Sequence, residues 1–346
     1  MLALKVPFAD AENAKRLLAA KKLYANEYAI AKDEAHIYFP LSGKAKFPRG
    51  WQIVGHHMQK REFPGGLKDA ALKEKMLTKK EAESLIGAYD SMGDIAVVEI
   101  PEELEGKERQ IGALLLKLHP NFKVVAKKMS AIRGRYRVRN LKVIAGEKRL
   151  ATTCRESGCR FGIDLGKVYF SPRQGYERER IAKLVKRNEK VLALFAGAGF
   201  YPVIIGKFQP KCRVVGIELN PAAVKYMREN VELNKMGGQI GVIKGDAKKI
   251  LKLTKFKRWA SRVIMPLPHS AHEFLDEVLF AAAKGCVVHF YHIPKGECAD
   301  ALADGQEKVR AACIRNRRKF KMVFQRVVKT YAPHVDEVVV DFKLTN

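Results

Sequence analysis

KVLALFAGAGFYPVIIGKFQPKCRVVGIELN, from Lys190 to Asn220, reads as a strand, a glycine turn, a helix and a second strand that ends on an acidic residue. Val191 to Phe195 is an unbroken apolar run, as a strand buried on both faces requires, and it leads straight into Ala196-Gly197-Ala198-Gly199. Glycines there let backbone come close to a ligand. Glu218 closes the second run 21 residues after Gly197, near the spacing at which an acidic side chain meets the ribose hydroxyls of an adenosine cofactor. Asn220-Pro221 then opens a helix, with Asn as N-cap and Pro at the first helical position.

The turn reads AGAGF and lacks the third glycine of GxGxxG. A dinucleotide fold uses that glycine to pack the helix close beneath a pyrophosphate. S-adenosylmethionine has no phosphate to cradle, so the departure favours it over a dinucleotide, with a plain strand-to-helix turn as the alternative. The residues expected to line such a cofactor are Phe195, Gly197, Gly199 and Tyr201, then Glu218 and Leu219, and finally Asp246 and Ala247 in KGDA. From its position at a strand end, Asp246 either hydrogen-bonds the adenine amino group or caps a helix.

At 346 residues, with 47% hydrophobic and 29% charged content, the chain has room for two or three globular domains. No apolar run approaches the roughly 18 residues of a membrane helix, and MLALKVPFADAENAK has no signal-peptide pattern, so no membrane contact and a cytoplasmic location are expected. The six cysteines are scattered. Cys154 and Cys159 in CRESGC have no second ligand pair at zinc spacing, so no metal is expected.

Lysine and arginine number 65 against 37 acidic residues, a net charge of +28, which points to a polyanionic partner. Residues 121–190 alone hold 20 basic and 6 acidic residues, half of the excess in a fifth of the chain. Such concentration suits nucleic acid better than a uniformly charged surface. Arg315-Asn316-Arg317-Arg318-Lys319 is expected on the solvent face of a helix.

Residues 1–45 read as a small αβ module: strand LALKVPF, a helix from Asp10 to Lys21 with Asp10 as N-cap, and strands NEYAIAK and AHIYFPL hinged at Asp33-Glu34. Residues 46–78 mix Pro, Gly and charge and read as a linker. Residues 79–160 form a second, α+β domain: helix KKEAESLIGAYD, strand GDIAVVEI, a helix from Glu103 to His119, then strands VVAKK, RYRVR and LKVIAG. Residues 161–346 carry five alternating β/α units and a terminal antiparallel hairpin, VFQRVVKTYA and DEVVVDFKL. This is an α/β fold, and it describes the class I, Rossmann-like methyltransferase sheet better than a dehydrogenase.

Two stretches look built for RNA. Along RGRYRVR, strand spacing would set Arg133, Arg135, Arg137 and Arg139 in a row on one face, although charge on an edge strand also prevents aggregation. Tyr169, Phe170 and Tyr176 alternate with Arg173, Arg178 and Arg180, which suits base stacking beside phosphate contacts. Glu177 among those arginines is either an ion-pair partner or a general base near an anionic substrate.

Taken together, VYFSPR-x3-ERERI, LFAGAGFYP, GIELNP, ENVELNK, KGDA, VIMPLPHSAHEFL and TYAP resemble the archaeal and eukaryotic tRNA (guanine-37 N1)-methyltransferases. The resemblance runs from about Tyr89 to the C-terminus, and the N-terminal module fits that family's tRNA-elbow-binding domain. It implies a monomer that binds S-adenosylmethionine and tRNA at the anticodon loop and elbow. By the same resemblance Glu177 is the base that takes the guanine N1 proton, Arg137 sits at guanine O6, and Tyr169 and Arg173 line the site. Arg133, Arg135, Arg139 and Arg178 would contact RNA.

This chain departs from the family pattern in two places. Ala193 stands where the family has Asp, and Pro266-Leu267-Pro268 stands where it has Asn-Leu-Pro, which removes an amide that would hold the target base. The Pro-Leu-Pro variant resembles the wyosine-forming branch, which methylates both guanine N1 and C7 of 4-demethylwyosine, so Pro266 and Pro268 are expected in the site. Two alternatives remain: a wybutosine 3-amino-3-carboxypropyl transferase, whose turn continues Tyr-Phe-Thr rather than Phe200-Tyr201-Pro202, and a non-catalytic tRNA-binding protein.

Overall fold

The computed structural model describes residues 1–60, 66–129, 136–294, 300–332 and 335–346. They form two compact units, one of residues 1–89, 98–125 and 144–146, the other of residues 90–97, 126–143 and 147–346.

The first unit begins with β1 (Leu2–Pro7), α1 (Ala11–Ala20), β2 (Ala31–Lys32), β3 (His36–Pro40) and β4 (Gln52–Gly55), and the sheet order is β2-β3-β1-β4. Period-two alternation divides its two faces. Leu4, Val6 and Phe39 pack on Ala14 and Leu18 of α1, while Ala3 and Tyr38 pack on Met58 behind. NEYAIAK was expected to be a strand, but only Ala31–Lys32 joins the sheet, while Tyr28 makes an isolated bridge with Lys60. The Asp33 carboxylate takes the N–H groups of Ala35 and His36 at 2.8 and 2.7 Å and the Tyr38 hydroxyl at 2.6 Å, which fixes the turn immediately after β2. Asp10 makes no capping hydrogen bond, because its carboxylate accepts from the Trp51 indole at 3.0 Å. The stretch expected to be a linker thus supplies both Trp51 and β4, which pairs antiparallel with β1.

Next come α2 (Leu67–Lys73), α3 (Lys79–Ser84), β5 (Tyr89–Met92), β6 (Ile95–Val98), α4 (Glu108–Leu118), β7 (Val124–Lys128) and β8 (Leu141–Gly146). β5, β6, β7 and β8 make a four-stranded sheet in that order. The helix expected over 79–90 stops at Ser84; it starts from a Thr78/Glu81 capping box, and the Glu81 carboxylate also holds Lys107 at 2.7 Å. The helix expected from Glu103 is a 3-10 turn up to Lys107, and only then α4.

In the second unit β9 (Ala151–Glu156) and β10 (Cys159–Asp164) form a hairpin, followed by α5 (Gly175–Leu184), β11 (Lys190–Leu194), α6 (Phe200–Phe208), β12 (Arg213–Glu218), α7 (Pro221–Leu233), β13 (Ile240–Lys244), α8 (Ala247–Leu251), β14 (Ala260–Met265), α9 (Leu275–Ala281), β15 (Ala282–His292), α10 (Ala301–Arg315), β16 (Phe320–Ala332) and β17 (Val335–Leu344). The seven-stranded sheet runs β13-β12-β11-β14-β15-β17-β16. Strands β13 to β15 are parallel, and β17 is antiparallel to both β15 and β16. Continuous apolar strands such as β11 and β14 are buried because helices cover both faces of a parallel sheet. The chain leaves β11 toward β12 on one side and reaches β14 on the other. That reversal opens a crevice at the carboxyl ends of the strands.

Of the basic cluster, Arg315 ends α10 and is exposed as expected, Arg317 and Lys319 are exposed beyond the helix, and Arg318 departs from the expectation. Arg318 turns inward and donates to the carbonyls of Leu279, Ala282 and Asn346, which fastens the C-terminus to the sheet. No helix among the described residues is long and apolar enough to cross a membrane.

Candidate active site

The crevice begins where β11 ends. Phe195, Gly197 and Gly199 all take left-handed backbone conformations, with φ of 53°, 55° and 88°. At Gly197 a Cβ would find room, so conformation alone calls for glycine; at Gly199 it would lie 2.7 Å from Met227 Cγ, so space forbids it as well. The close packing that a third turn glycine would allow comes from elsewhere. Gly216 on β12 faces Met227 and Pro202, and a Cβ there would come within 2.6 Å of the Met227 sulfur.

Glu218 joins the two strand ends. Its Oε2 accepts from Gly197 N–H at 2.8 Å, and its Oε1 accepts from the N–H groups of Leu219 and Asn220, each at 2.8 Å. Three of about four acceptor sites are thereby used, which leaves one on Oε2 for a hydroxyl. Asn220 caps α7 as the sequence implies, its Oδ1 accepting from Ala222 N–H at 3.0 Å. Asp246 caps α8 through Lys248 N–H at 2.9 Å and also faces the crevice, so capping does not exclude a ligand contact.

A cavity of about 510 Å³ fills this crevice, within the range of small-molecule sites. Phe195, Gly197, Tyr201, Glu218, Leu219, Asp246 and Ala247 all belong to its wall. Gly199 does not; it shapes the turn from beneath. Ala193 is buried in β11 between Gly216 and Ile264 and also lies off the wall. A glycine turn, a partly free carboxylate and an aspartate at the third strand end fit the adenosine part of S-adenosylmethionine. Phe274, stacked edge-on against Phe195 at 4.8 Å, adds an aromatic surface that nothing in the sequence pattern singled out.

The same wall holds Arg137, Tyr169, Pro266 and Pro268, as expected, together with His269, Lys329 and Glu337. Arg137 does not lie in a strand. Tyr136 and Arg137 form a turn, with Arg137 at φ 55°, and Val138 makes only an isolated bridge, so the row of guanidiniums is absent there, and Arg133 and Arg135 lie outside the described residues. A non-glycine residue held left-handed costs about 1–2 kcal/mol, and such residues concentrate at functional sites. Burial first, and then the nearby Arg137 charge, push the His269 imidazole below its ordinary value. Arg139, half-buried, is not part of the wall.

The arginines around α5 divide by role. Arg173 is exposed, pairs with Asp90 at 3.0 Å and stands outside the cavity. Arg178 belongs to the wall but is buried, bound through two nitrogens to Glu156 at 2.5 and 2.7 Å and laid over the rings of Phe170 and Phe200. So buried and so paired, it is not available to an RNA backbone. Glu177 is 1% exposed and is not part of the wall. Its carboxylate accepts from Arg180 at 3.1 Å, from Arg326, and from the Tyr291 hydroxyl at 2.6 Å. Tyr201, on the wall, donates in turn to Tyr291 at 3.4 Å, the outer limit of a hydrogen bond. Two hydroxyls therefore connect the cavity to Glu177.

Residues 152–322 match the TRM5/TYW2 methyltransferase domain, residues 69–149 the TYW2 N-terminal domain, and residues 3–46 the tRNA methyltransferase 5 N-terminal domain. Over 99% of both chains the protein is 33% identical to the tRNA (guanine(37)-N(1))-methyltransferase Trm5b of Pyrococcus abyssi. The crystal structure of wild-type Trm5b from that organism superimposes with a TM-score of 0.73 at 32% identity, covering 100% of each chain. A complex of aTrm5 with tRNALeu gives 0.69 at 30% identity, again over 100% of each chain. The tRNA (guanine(37)-N(1))/4-demethylwyosine(37)-methyltransferase Taw22 of Nanoarchaeum equitans is 41% identical over 43% of this chain and 49% of its own. The chain belongs to the TRM5/TYW2 methyltransferase family.

Proposed function

We propose that this chain transfers a methyl group from S-adenosylmethionine to N1 of guanosine 37 in the anticodon loop of tRNA. The observation that carries this reading is a single cavity whose wall joins the glycine turn and Glu218, which suit adenosine, with the cations Arg137 and Lys329. S-adenosylmethionine supplies an electrophilic methyl group on sulfonium. Guanine N1 is protonated at neutral pH and a poor nucleophile, so a base must take its proton while charge builds on O6.

Arg137 is the residue we assign to O6, and Glu177 the one we assign as base. Glu177 is served through the hydroxyls: as a proton arrives on the Tyr201 oxygen, the Tyr201 proton moves to Tyr291 and the Tyr291 proton to Glu177. Burial, ahead of other causes, raises both phenols above their ordinary value, so they relay as neutral hydroxyls. Tyr169 offers a ring to a base flipped out of the loop, and Arg173, Arg139, Arg133 and Arg135 are assigned to the RNA backbone. The N-terminal module is assigned to the tRNA elbow, and the protein acts as a monomer in the cytoplasm.

One observation favours a second substrate. The wall at Pro266-Leu267-Pro268 presents no side-chain amide, the Leu267 N–H is bound to the Met265 carbonyl at 2.9 Å, and the Pro268 carbonyl is taken by Ile293 N–H at 3.0 Å. A wall with no such amide to fix one base edge suits the larger tricyclic 4-demethylwyosine, methylated at C7.

Both readings are tested by incubating the protein with labelled S-adenosylmethionine and tRNA bearing guanosine or 4-demethylwyosine at position 37, followed by nucleoside mass analysis. A methyl gain on guanine N1 supports the first, and one on the tricyclic C7 the second. An aminocarboxypropyl gain, or tight binding of cofactor and tRNA with no transfer, overturns both.

A further inference from the structure

Glu337 on β17 is 1% exposed, yet it belongs to the cavity wall. Its partners among the described residues are its cross-strand neighbour Lys329, at 3.1 Å from Oε2, and Gln174 Nε2, at 3.4 Å from Oε1. The second contact is at the outer limit of a hydrogen bond. A carboxylate offers about four acceptor sites, so this one keeps acceptor capacity on a wall that faces a ligand. Glu177 differs: three side chains converge on it and none of it reaches the cavity.

Cations share the wall with Glu337. Arg137 and Lys329 line the cavity, and both contribute to pushing the His269 imidazole down. A ligand that satisfies such a wall must turn an acceptor toward the cations and N–H donors toward Glu337. The Watson–Crick edge of guanine does so, with O6 at one end and the N2 amino group at the other. Adenine presents the reverse pattern, and inosine keeps O6 and N1–H but has no amino group.

We propose that Glu337 accepts a hydrogen bond from the exocyclic amino group of the target guanine and is a specificity-determining residue of this site; the proposal rests on the guanosine-37 reading above. A site built to bond a polar group discriminates against the analogue that lacks it, because its own buried acceptor is then left unmatched.

The experiment compares tRNAs carrying guanosine or inosine at position 37, with wild type, Glu337→Gln and Glu337→Asp, and measures the cofactor Kd and Tm of each protein. Wild type is expected to prefer guanosine by about 10- to 100-fold in kcat/KM, the range of one hydrogen bond to a charged group. Glu337→Gln should lose most of its rate on guanosine and change less than about threefold on inosine, bringing the ratio near one with the cofactor Kd unchanged. Glu337→Asp keeps the charge beside Lys329 but withdraws it by one methylene, and should give an intermediate ratio even if the glutamine variant folds poorly. An unchanged ratio in a variant that binds cofactor normally overturns the proposal, as does a wild type indifferent to the amino group. If wild type methylates neither tRNA, the guanosine-37 reading itself fails; if it is active with an unchanged ratio, only the role of Glu337 does.

Discussion

The Tyr291 hydroxyl donates to Glu177 Oε2 at 2.6 Å, so the carboxylate assigned as base touches a phenol instead of the cavity. Tyr201, one step nearer the cavity, donates to Tyr291 at 3.4 Å. If protons travel along this line, Glu177→Gln and Tyr291→Phe break the same path. Each should lower the single-turnover methylation rate by about 10²- to 10⁴-fold, the usual contribution of acid–base catalysis, with little change in cofactor Kd. The double variant should be no slower than the worse single one, since groups that act as a unit are not additive. Additive losses would break the relay, and a fully active Glu177→Gln would remove the base.

Arg137 combines a left-handed backbone with a charge in the cavity wall, and one substitution separates the two. Arg137→Gly relieves the backbone conformation while adding freedom to the unfolded chain, and these effects are each about 1 kcal/mol and opposite in sign. The expected result is a Tm within a few degrees of wild type and a kcat lowered by about 10²- to 10³-fold, as for removal of an oxyanion donor. A large fall in Tm with proportionate loss of activity would make Arg137 a structural residue.

The sheet was legible because its signals are local. Unbroken apolar runs, the glycine turn, Asn220-Pro221 and the acidic end of β12 each depend on a few neighbours in sequence, and each lies where the pattern placed it. RYRVR misled because alternating arginines satisfy a strand's period, whereas a left-handed residue at Arg137 ends strand geometry whatever the spacing. Glu337 and Tyr291 were not legible at all. Their significance comes from contacts made only in the fold: Tyr291 meets Glu177 114 residues away, Gln174 meets Glu337 163 residues away, and Lys329, only eight residues from Glu337, faces it through the register of β16 on β17. The sequence left Glu177 open between ion pair and base for the same reason, since Arg326 lies 149 residues away.

Glu218 holds the glycine turn and faces the cavity, so its replacement should affect binding before chemistry. Glu218→Gln retains a single acceptor oxygen and must give up either Gly197 or the Leu219/Asn220 pair. Cofactor affinity measured by calorimetry should fall about 10- to 100-fold, the range of hydrogen bonds to a charged group, with kcat at saturating cofactor changed far less. Gly199→Ala is the structural counterpart. With φ at 88° and Met227 Cγ 2.7 Å from the new Cβ, it should lower Tm by several degrees, and an unaltered Tm would show that the turn can relax.

Asp341 closes the buried charge network behind Glu177. Its carboxylate meets Arg180 at 2.8 Å and the His289 imidazole at 2.8 Å, and it is almost fully shielded from solvent. Burial works against charge on this group, but its contacts with His289 and Arg180 outweigh that and hold the carboxyl below its ordinary value. An aspartate in the unfolded chain titrates near 3.9. Because the folded value is depressed, the unfolded chain binds the proton first as pH falls. The stability Asp341 contributes is therefore fully present above about pH 4 and is lost as pH drops through the lower, folded value. Urea unfolding at pH 7, 5, 4 and 3 should show wild type converging on Asp341→Asn at the acid end, with the gap between them widest at pH 5 and above. A gap that stays constant down to pH 3 would mean that Asp341 stabilises the fold by packing and hydrogen bonding alone, with no contribution from its charge.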